Sequence, residues 1–215
     1  LFVAFFPRLV AGPIVRPADY LPQLKKPIGT RGDNVGAGAQ IFTVGLFKKL
    51  ILAYSVDPFV NQVFADPSYY SGATVWLAVF AYAIQIYCDF SGYSDMAIGI
   101  ARMLGFHLNR NFHMPYISTS VAEFWNRWHI SLSTWLRDHV YMRFVLAATK
   151  GRWFGDKHVA SYAGFILSMG LMGLWHGTAA NYLLYGLYHA TLMIGHDIFS
   201  RWNKRRKLWG SGPIW

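Results

Sequence analysis

The longest apolar block of the chain runs from Val159 to His196. Its 38 residues contain no Lys, Arg, Asp or Glu, which is about twice the ~20 residues that a helix needs to cross a bilayer core. A turn rich in glycine and polar residues, from Gly173 to Asn181, divides the block. The pattern therefore predicts two membrane helices, over roughly 159–175 and 181–199, that a short turn connects.

Two earlier apolar segments also predict helices. The uncharged segment at 67–88 is long enough to span a membrane. The segment at 34–64 is predicted to be helical, with Asn34 as its cap and Asp57-Pro58 as a kink or an end. Lys48-Lys49 interrupts it, and two alternatives stay open: the lysines snorkel from a tilted helix, or the helix lies along the interface.

Proline-rich and polar segments separate these helices. Five prolines recur between residues 7 and 33, so we expect no helix there. Residues 107–118 are predicted to be a loop. Ser120 and Glu123 then have the spacing of a capping box. They predict a helix from Val121 to about Phe144, on which Glu123, Asn126 and His129 share one face.

Composition places these helices in a membrane. Hydrophobic residues make up 54% of the chain and charged residues only 14%, against roughly 25% charged residues in soluble domains. Aromatic residues reach 18%, which suits aromatic belts at membrane interfaces. We therefore expect an all-α, polytopic membrane protein. Cys88 is the single cysteine, so no internal disulfide is possible.

The net charge of +10 comes from Lys and Arg between the apolar segments. These residues form no separate basic domain, so we expect cytoplasmic loops and no nucleic-acid partner. The positive-inside rule places the loop at 150–157 and the tail at 201–207 in the cytoplasm. The turn that carries His176 then points to the opposite side of the membrane or stops short of it.

Two histidines are candidates for chemistry. His176 lies between Trp175 and Gly177 at the end of an apolar hairpin, where a titratable ring is costly and is functional by default. It is either a polar residue satisfied at the turn or a catalytic base that desolvation keeps neutral. His129 is either an interfacial histidine on an aromatic helix or a ring oriented by its polar neighbours, among which Glu123 and Arg127 also suit a plain ion pair.

Other kinds of site have weaker patterns. The closest histidine pairs are six, seven and ten residues apart, unlike the three- or four-residue spacing of a metal site on one helix face, so we expect no metal. No Gly-x-Ser-x-Gly elbow and no phosphate-binding glycine pattern occurs. The polar cluster from Asp89 to Asp95 is predicted to cap helices or to bond backbone at a re-entrant turn.

Four stretches resemble motifs of the membrane-bound O-acyltransferase (MBOAT) family, in the family's order. They are FPRLVAGPI at 6–14, QIYCDFSGYSD at 85–95, EFWNRWHISLSTW at 123–135 and GLWHG at 173–177. Each stretch alone is weakly specific, whereas the ordered set is highly specific. The set is most similar to the bacterial branch of the family that modifies polysaccharides and cell-wall polymers, through alginate O-acetylation or D-alanyl transfer to teichoic acid. Within that branch, the second stretch is most similar to the alginate-type acetylation proteins.

The resemblance implies a helical bundle with a transmembrane tunnel and with short re-entrant or interfacial helices. In it, an acyl group passes from a thioester to a hydroxyl. His176 is expected to be the general base on the hydroxyl, and His129 to orient the acceptor or to donate to the thioester carbonyl oxygen. Residues in and beside the motifs are expected to bind substrate or to exclude water: Asp89, Ser91, Tyr93, Ser94, Asp95, Trp125, Asn126, Arg127, Trp128, Trp175 and Asn181.

The resemblance also implies a setting in the bacterial cytoplasmic (inner) membrane. Acetyl-CoA is the expected co-substrate, with no bound cofactor. The expected partners are membrane lipid, extracytoplasmic acetylation proteins and a polysaccharide such as alginate. Residues 1–215 are then an internal fragment of one domain with further spans on both sides. The alternatives are D-alanyl transfer to a cell-wall polymer, a transporter, and a scaffold subunit of a polysaccharide export complex.

Overall fold

A computed structural model describes residues 4–9, 11–25 and 32–206. These residues are helices, turns and loops without a strand, which confirms the all-α prediction. Clustering of contacts divides the chain into two compact units, one up to Phe112 and one from His113 onward. Residues 26–31 of the proline-rich segment and residue 207 of the basic tail lie outside the described residues.

The first unit contains a 3₁₀ turn at Phe6–Arg8, α1 (Pro17–Leu24), α2 (Gly32–Phe47), a π-helical turn at Lys48–Ala53, α3 (Tyr54–Ala65), a 3₁₀ turn at Pro67–Tyr69 and α4 (Gly72–Met103). Helix α1 contradicts the prediction that residues 7–33 hold no helix. Pro17 begins the helix, where a missing N–H is harmless. Tyr20 packs its ring 5.1 Å from Phe5 and 5.2 Å from Phe106, so tertiary packing outweighs the cost of the second proline, Pro22.

The helical run from Gly32 to Ala65 also corrects two expected boundaries. It begins before Asn34, so this residue does not cap it. Pro58 lies inside α3 and does not end the helix. The π-helical turn precedes this proline, and such turns let a helix absorb a local irregularity without ending.

The lysine pair in this run forms ion pairs, which are compatible with a tilted helix and with an interfacial one. Lys48 forms an ion pair with Asp95 at 2.6 Å, and Lys49 forms one with Asp89. Both aspartates lie on α4, which continues without a break from Gly72 to Met103. The prediction of helix caps or a re-entrant turn at Asp89–Asp95 is therefore wrong, because lysines distant in sequence satisfy these carboxylates within the helix.

Glycines bring α2 and α4 together backbone to backbone. A Cβ atom added to Gly45 would lie 2.5 Å from the carbonyl oxygen of Gly92, and one added to Gly38 would lie 2.6 Å from that of Gly99. Each pair of glycines is seven residues apart on its helix. Such small-residue stripes allow close packing of membrane helices, where lipid supplies no hydrophobic drive for association.

The second unit contains a 3₁₀ turn at Pro115–Ile117, α5 (Val121–Arg127), α6 (Ile130–Leu136), a π-helical turn at Arg137–Tyr141, α7 (Met142–Lys150), α8 (Lys157–His176) and α9 (Ala180–Arg206). The hairpin of α8 and α9 confirms the two helices predicted from the apolar block. The single helix predicted from Val121 to about Phe144 is wrong, because it breaks between α5 and α6.

Three helical segments in the described part of the chain are long and apolar enough to cross a membrane: Gly32–Ala65, Gly72–Met103 and Lys157–His176. Gly72–Met103 and Lys157–His176 correspond to two of the three predicted spans, and Gly32–Ala65 corresponds to the segment for which a tilted span and an interfacial helix both stayed open. The remaining predicted span, at 181–199, is a helix but does not meet the same criterion, because polar residues such as Asn181, His189 and His196 reduce its hydropathy.

Candidate active site

The break between α5 and α6 positions His129. This residue has φ 40° and ψ 54°, a left-handed conformation that costs a non-glycine residue about 1–3 kcal/mol and recurs at functional sites. The carbonyl oxygen of His129 accepts from the N–H of Ser133 at 3.0 Å and so begins α6. The predicted common helix face of Glu123, Asn126 and His129 is therefore wrong, since His129 lies outside both helices.

Hydrogen bonds hold α5 in place before this break. The Ser120 hydroxyl accepts from the N–H of Glu123 at 3.1 Å, as the capping box predicts. The Glu123 carboxylate accepts from Thr119 and pairs with Arg127 at 2.7 Å. Hydrogen bonds from Thr119, and then the Arg127 charge, hold the pKa of Glu123 below its usual value. Arg127 also donates to the His113 carbonyl, so this side chain connects the loop before α5 to the helix.

The ring of Trp175 contacts both candidate histidines. Its centroid is 6.3 Å from that of His129 and 4.9 Å from that of His176. The two histidines are 47 positions apart in the sequence, and the fold of the second unit brings them to one aromatic side chain. The structure therefore places together the two residues predicted to be catalytic.

Burial determines the protonation state of His129. The side chain is only 5% exposed, and this burial, with a smaller contribution from the charge of His176, lowers the pKa of His129 from 6.5 to about 4. Its imidazole is therefore neutral at pH 7 and can donate through one ring nitrogen and accept through the other.

His176 is the last residue of α8 and is exposed in the described part of the chain. Its ring contacts Tyr185 of α9 at 5.9 Å. Of the tryptophans expected to exclude water, Trp125 is buried whereas Trp175 is 61% exposed. The second unit alone therefore leaves the His176 side of the pair open.

A cavity of about 230 Å³ lies within the second unit. Met172, one turn before His176, lines it together with Leu132 and Ser133, which follow His129 by three and four residues. Trp125 and Asn126, both predicted to bind substrate, also belong to its lining. A largely apolar wall with a few hydroxyl and amide groups is typical of pockets for small organic ligands.

The other residues predicted to bind substrate lie elsewhere. Asp89, Ser91, Tyr93, Ser94 and Asp95 are on α4 of the first unit. The two aspartates form the lysine pairs described above. Ser91 and Ser94 are buried, and Ser94 accepts a hydrogen bond from Asn111 at 3.3 Å. Asn181 is exposed at the start of α9, and Trp128 stacks on Phe124 at 5.6 Å.

No sequence motif predicts a role for His189. Its ring lies 5.0 Å from Trp125 and 4.7 Å from Tyr185, so it belongs to the same aromatic cluster as the histidine pair. The signal was the spacing of Tyr185 and His189, four residues apart on one helix. Within the described residues, no group of three or more His, Cys, Asp or Glu side chains could hold a metal ion.

Comparison with known proteins identifies the family to which this chain is similar. The family model described as MBOAT, membrane-bound O-acyltransferase family, matches residues 1–211. The probable alginate O-acetylase AlgI of Azotobacter vinelandii is 44% identical over 88% of this chain and 36% of its own length. The teichoic acid D-alanyltransferase of Bacillus subtilis is 35% identical over 96% of this chain and 53% of its own length.

A peptidoglycan O-acetyltransferase of Helicobacter pylori is 36% identical over 93% of the chain and 37% of its own length. The chain thus spans about a third to a half of the length of these curated relatives. The family match covers both units, including the four motifs and the helices able to span a membrane. The chain belongs to the membrane-bound O-acyltransferase family.

Proposed function

We propose that the chain forms part of a membrane-embedded enzyme that moves an acyl group, acetyl in the first instance, from a thioester to a hydroxyl. One observation carries the proposal: the ring of Trp175 contacts both His129 and His176. Two imidazoles beside one aromatic ring can serve an acyl transfer as base and as hydrogen-bond donor. No bound cofactor takes part in this scheme.

In the proposed reaction, Nε2 or Nδ1 of His176 accepts the proton of the acceptor hydroxyl while its oxygen attacks the thioester carbonyl carbon. The tetrahedral intermediate carries its negative charge on the former carbonyl oxygen. When the intermediate collapses, the C–S bond breaks and the proton on His176 passes to the leaving thiolate. The products are an ester and a free thiol, so atoms and charges balance.

The proposed role of His129 follows from its neutral state. With a pKa of about 4, its ring keeps one N–H at physiological pH and does not act as a cation. A neutral imidazole N–H can donate to a developing oxyanion, and removal of one such donor typically costs 10²–10³-fold in rate. The left-handed backbone of His129 helps to hold this donor in one orientation.

The substrates follow from the named activities of the relatives. An acetyl donor such as acetyl-CoA and an exopolysaccharide acceptor such as alginate agree with the 44% identical relative, whose name is probable alginate O-acetylase. The 35% identity to a teichoic acid D-alanyltransferase favours D-alanyl transfer as the second candidate. In either case we propose the bacterial inner membrane as the location, and extracytoplasmic acetylation proteins as partners in the first.

The test uses the complete protein in membrane vesicles with radiolabelled acetyl-CoA and a polysaccharide acceptor. We expect donor-dependent esterification of the polymer. His176→Gln should reduce it by about 10²–10⁴-fold, the usual contribution of a general base, at equal abundance in the membrane. A parallel assay with a D-alanyl thioester distinguishes the second candidate.

The matched control is His196→Gln on α9, which changes the same residue type outside the aromatic cluster. Near-normal transfer by His176→Gln at normal abundance would exclude His176 as the general base. Movement of polymer or acyl donor across the vesicle without any ester formation would instead favour the transporter. If His176→Gln is as active as His196→Gln in a complex with a soluble transferase, the result would favour the scaffold.

A further inference from the structure

His189 lies at the centre of an aromatic contact chain that joins α5 to α9. Its ring meets Trp125 edge-to-face at 5.0 Å and lies parallel to Phe124 at 6.4 Å. On its own helix it meets Tyr185 edge-to-face at 4.7 Å. These separations fall in the range in which aromatic rings attract each other in preferred orientations.

The contact chain leads from His189 to both members of the histidine pair. Tyr185 contacts the ring of His176 at 5.9 Å. On α5, Phe124 stacks on Trp128 at 5.6 Å with an angle of 14° between the ring planes, and Trp128 is the residue directly before His129. The contact chain thus links His189 to His176 through Tyr185, and to the residue before His129 through Phe124 and Trp128.

Packing, and not hydrogen bonding, holds the ring of His189 against Trp125. The Nδ1 atom of His189 and the Nε1 atom of Trp125 are both buried, and neither has a hydrogen-bond partner among the described residues. A buried polar atom without a partner costs stability. A phenyl ring at position 189 would retain the ring contacts and remove one of the two unpaired atoms.

We propose that His189 is a positioning residue for the histidine pair: its ring, between Tyr185 and Phe124, keeps His176 and His129 in their common geometry. The proposal rests on the proposed acyl transfer, because it concerns the two rings to which that reaction assigns its proton and its oxyanion. His189 itself takes no part in the movement of the proton.

The experiment compares His189→Ala with His189→Phe in the complete protein in membrane vesicles. Since a small misplacement of reacting groups costs up to about 10²-fold in rate, His189→Ala should lower kcat by about tenfold or more and change KM by less than about threefold. His189→Phe should return kcat to within about threefold of the wild type, with an unchanged pH profile. His189→Leu, which fills the space without a ring, takes the place of the alanine variant if the latter does not accumulate.

A second readout does not need activity. In protein labelled with ¹⁵N at histidine, the imidazole signals of His176 and His129 are assigned through single substitutions. They should shift in His189→Ala and remain in place in His189→Phe. His196→Ala, seven residues later on the same helix, is the matched control and should leave both signals unchanged.

The two readouts separate the possible failures. If the wild type transfers no acyl group but the signals respond as expected, the proposed function fails and the positioning role stands. Unchanged kcat and unchanged signals in His189→Ala would overturn the positioning role. A phenylalanine variant as inactive as the alanine variant, with an altered pH profile, would also overturn it, because the nitrogen and not the ring would then be required.

Discussion

In the first unit, Lys48 and Lys49 meet Asp95 and Asp89 across two helices. In the second unit, His129 and His176 lie against the ring of Trp175. Both arrangements place titratable groups among apolar helices. The first neutralises each charge with an opposite charge. The second contains imidazoles, and the buried one is a neutral ring that can donate through one nitrogen and accept through the other.

This difference indicates that the two units have different roles. Ion pairs between helices define register and are costly to break, which suits a structural role for α2 and α4. A strained backbone, a buried neutral imidazole and a nearby cavity suit chemistry in the second unit. The polar motif at Asp89–Asp95 and the histidine motifs therefore differ in their physical role.

The largest expected loss of stability comes from breaking an ion pair of the first unit. Asp95→Ala leaves the ammonium of Lys48 without its carboxylate and should lower the free energy of unfolding by about 3 kcal/mol, since removal of one partner of a buried pair costs about 3–5 kcal/mol. The low end applies because both side chains are about a quarter exposed. Thermal unfolding in detergent measures the change.

The control for this prediction is the double variant Lys48→Met, Asp95→Leu. It removes both charges and should regain most of the stability lost in the single variant. A single variant as stable as the wild type would show that the pair has no structural role, and the contrast between the units would then disappear.

The second prediction tests the contrast between the two units through the pH dependence of stability. Burial lowers the pKa of His129 to about 4, below the usual value of about 6.5, so the unfolded chain binds this proton more readily. The stabilising effect of the neutral ring is complete above pH 6.5 and is lost as the pH falls toward 4, by roughly 3 kcal/mol in total.

The measurement is the difference in unfolding free energy between the wild type and His129→Gln from pH 7 to pH 4. Other acidic groups titrate in both proteins and cancel in the difference, so it should decline steadily across this window. A difference that stays constant with pH would mean that His129 is not a buried neutral ring in the folded protein.

The third prediction concerns the glycine contact of the first unit. Gly45→Ala places a methyl group 2.5 Å from the Gly92 carbonyl oxygen and should destabilise the protein by about 1–3 kcal/mol through overpacking. Gly36→Ala on the same helix meets open space and should be neutral or stabilising by up to about 1 kcal/mol, because alanine favours a helix. Equal effects at the two positions would contradict the close approach of α2 and α4.

The smallest expected effect is at the capping box of the second unit. Ser120→Ala removes the acceptor for the Glu123 N–H and should cost about 1 kcal/mol of stability. Ser120→Thr keeps an acceptor and should cost less. Hydrogen exchange at the first turn of α5 measures the local loss, and an unchanged exchange rate in the alanine variant would argue against the cap.

Local patterns were sufficient where the physical cause is local. The apolar block predicted the hairpin of α8 and α9, because the length of apolar sequence determines whether a helix can span a bilayer. The capping box at Ser120 predicted the start of α5, since both partners lie within four residues. The ordered motifs indicated the family and, through it, the pairing of His129 with His176.

Local patterns failed where distant residues supply the partner. The break at His129 contains neither glycine nor proline, so nothing in the neighbouring sequence announces a left-handed residue. Helix α1 forms around prolines because Tyr20 packs against Phe5 and Phe106. The aspartates of α4 remain inside a continuous helix because distant lysines neutralise them. Lys48 precedes Asp95 by 47 residues, and Lys49 precedes Asp89 by 40 residues.

The sequence by itself determined that this protein is helical, that its apolar segments are suited to a membrane, and which two histidines are candidates for catalysis. Hydrophobicity and local capping act over one helix, and they are legible in the order of residues. Only the tertiary structure decided that His129 contacts Trp175 beside His176, that His189 belongs to their cluster, and that Lys48 and Lys49 are paired. Those contacts join residues far apart in the chain, and their energies exist only after the helices have packed.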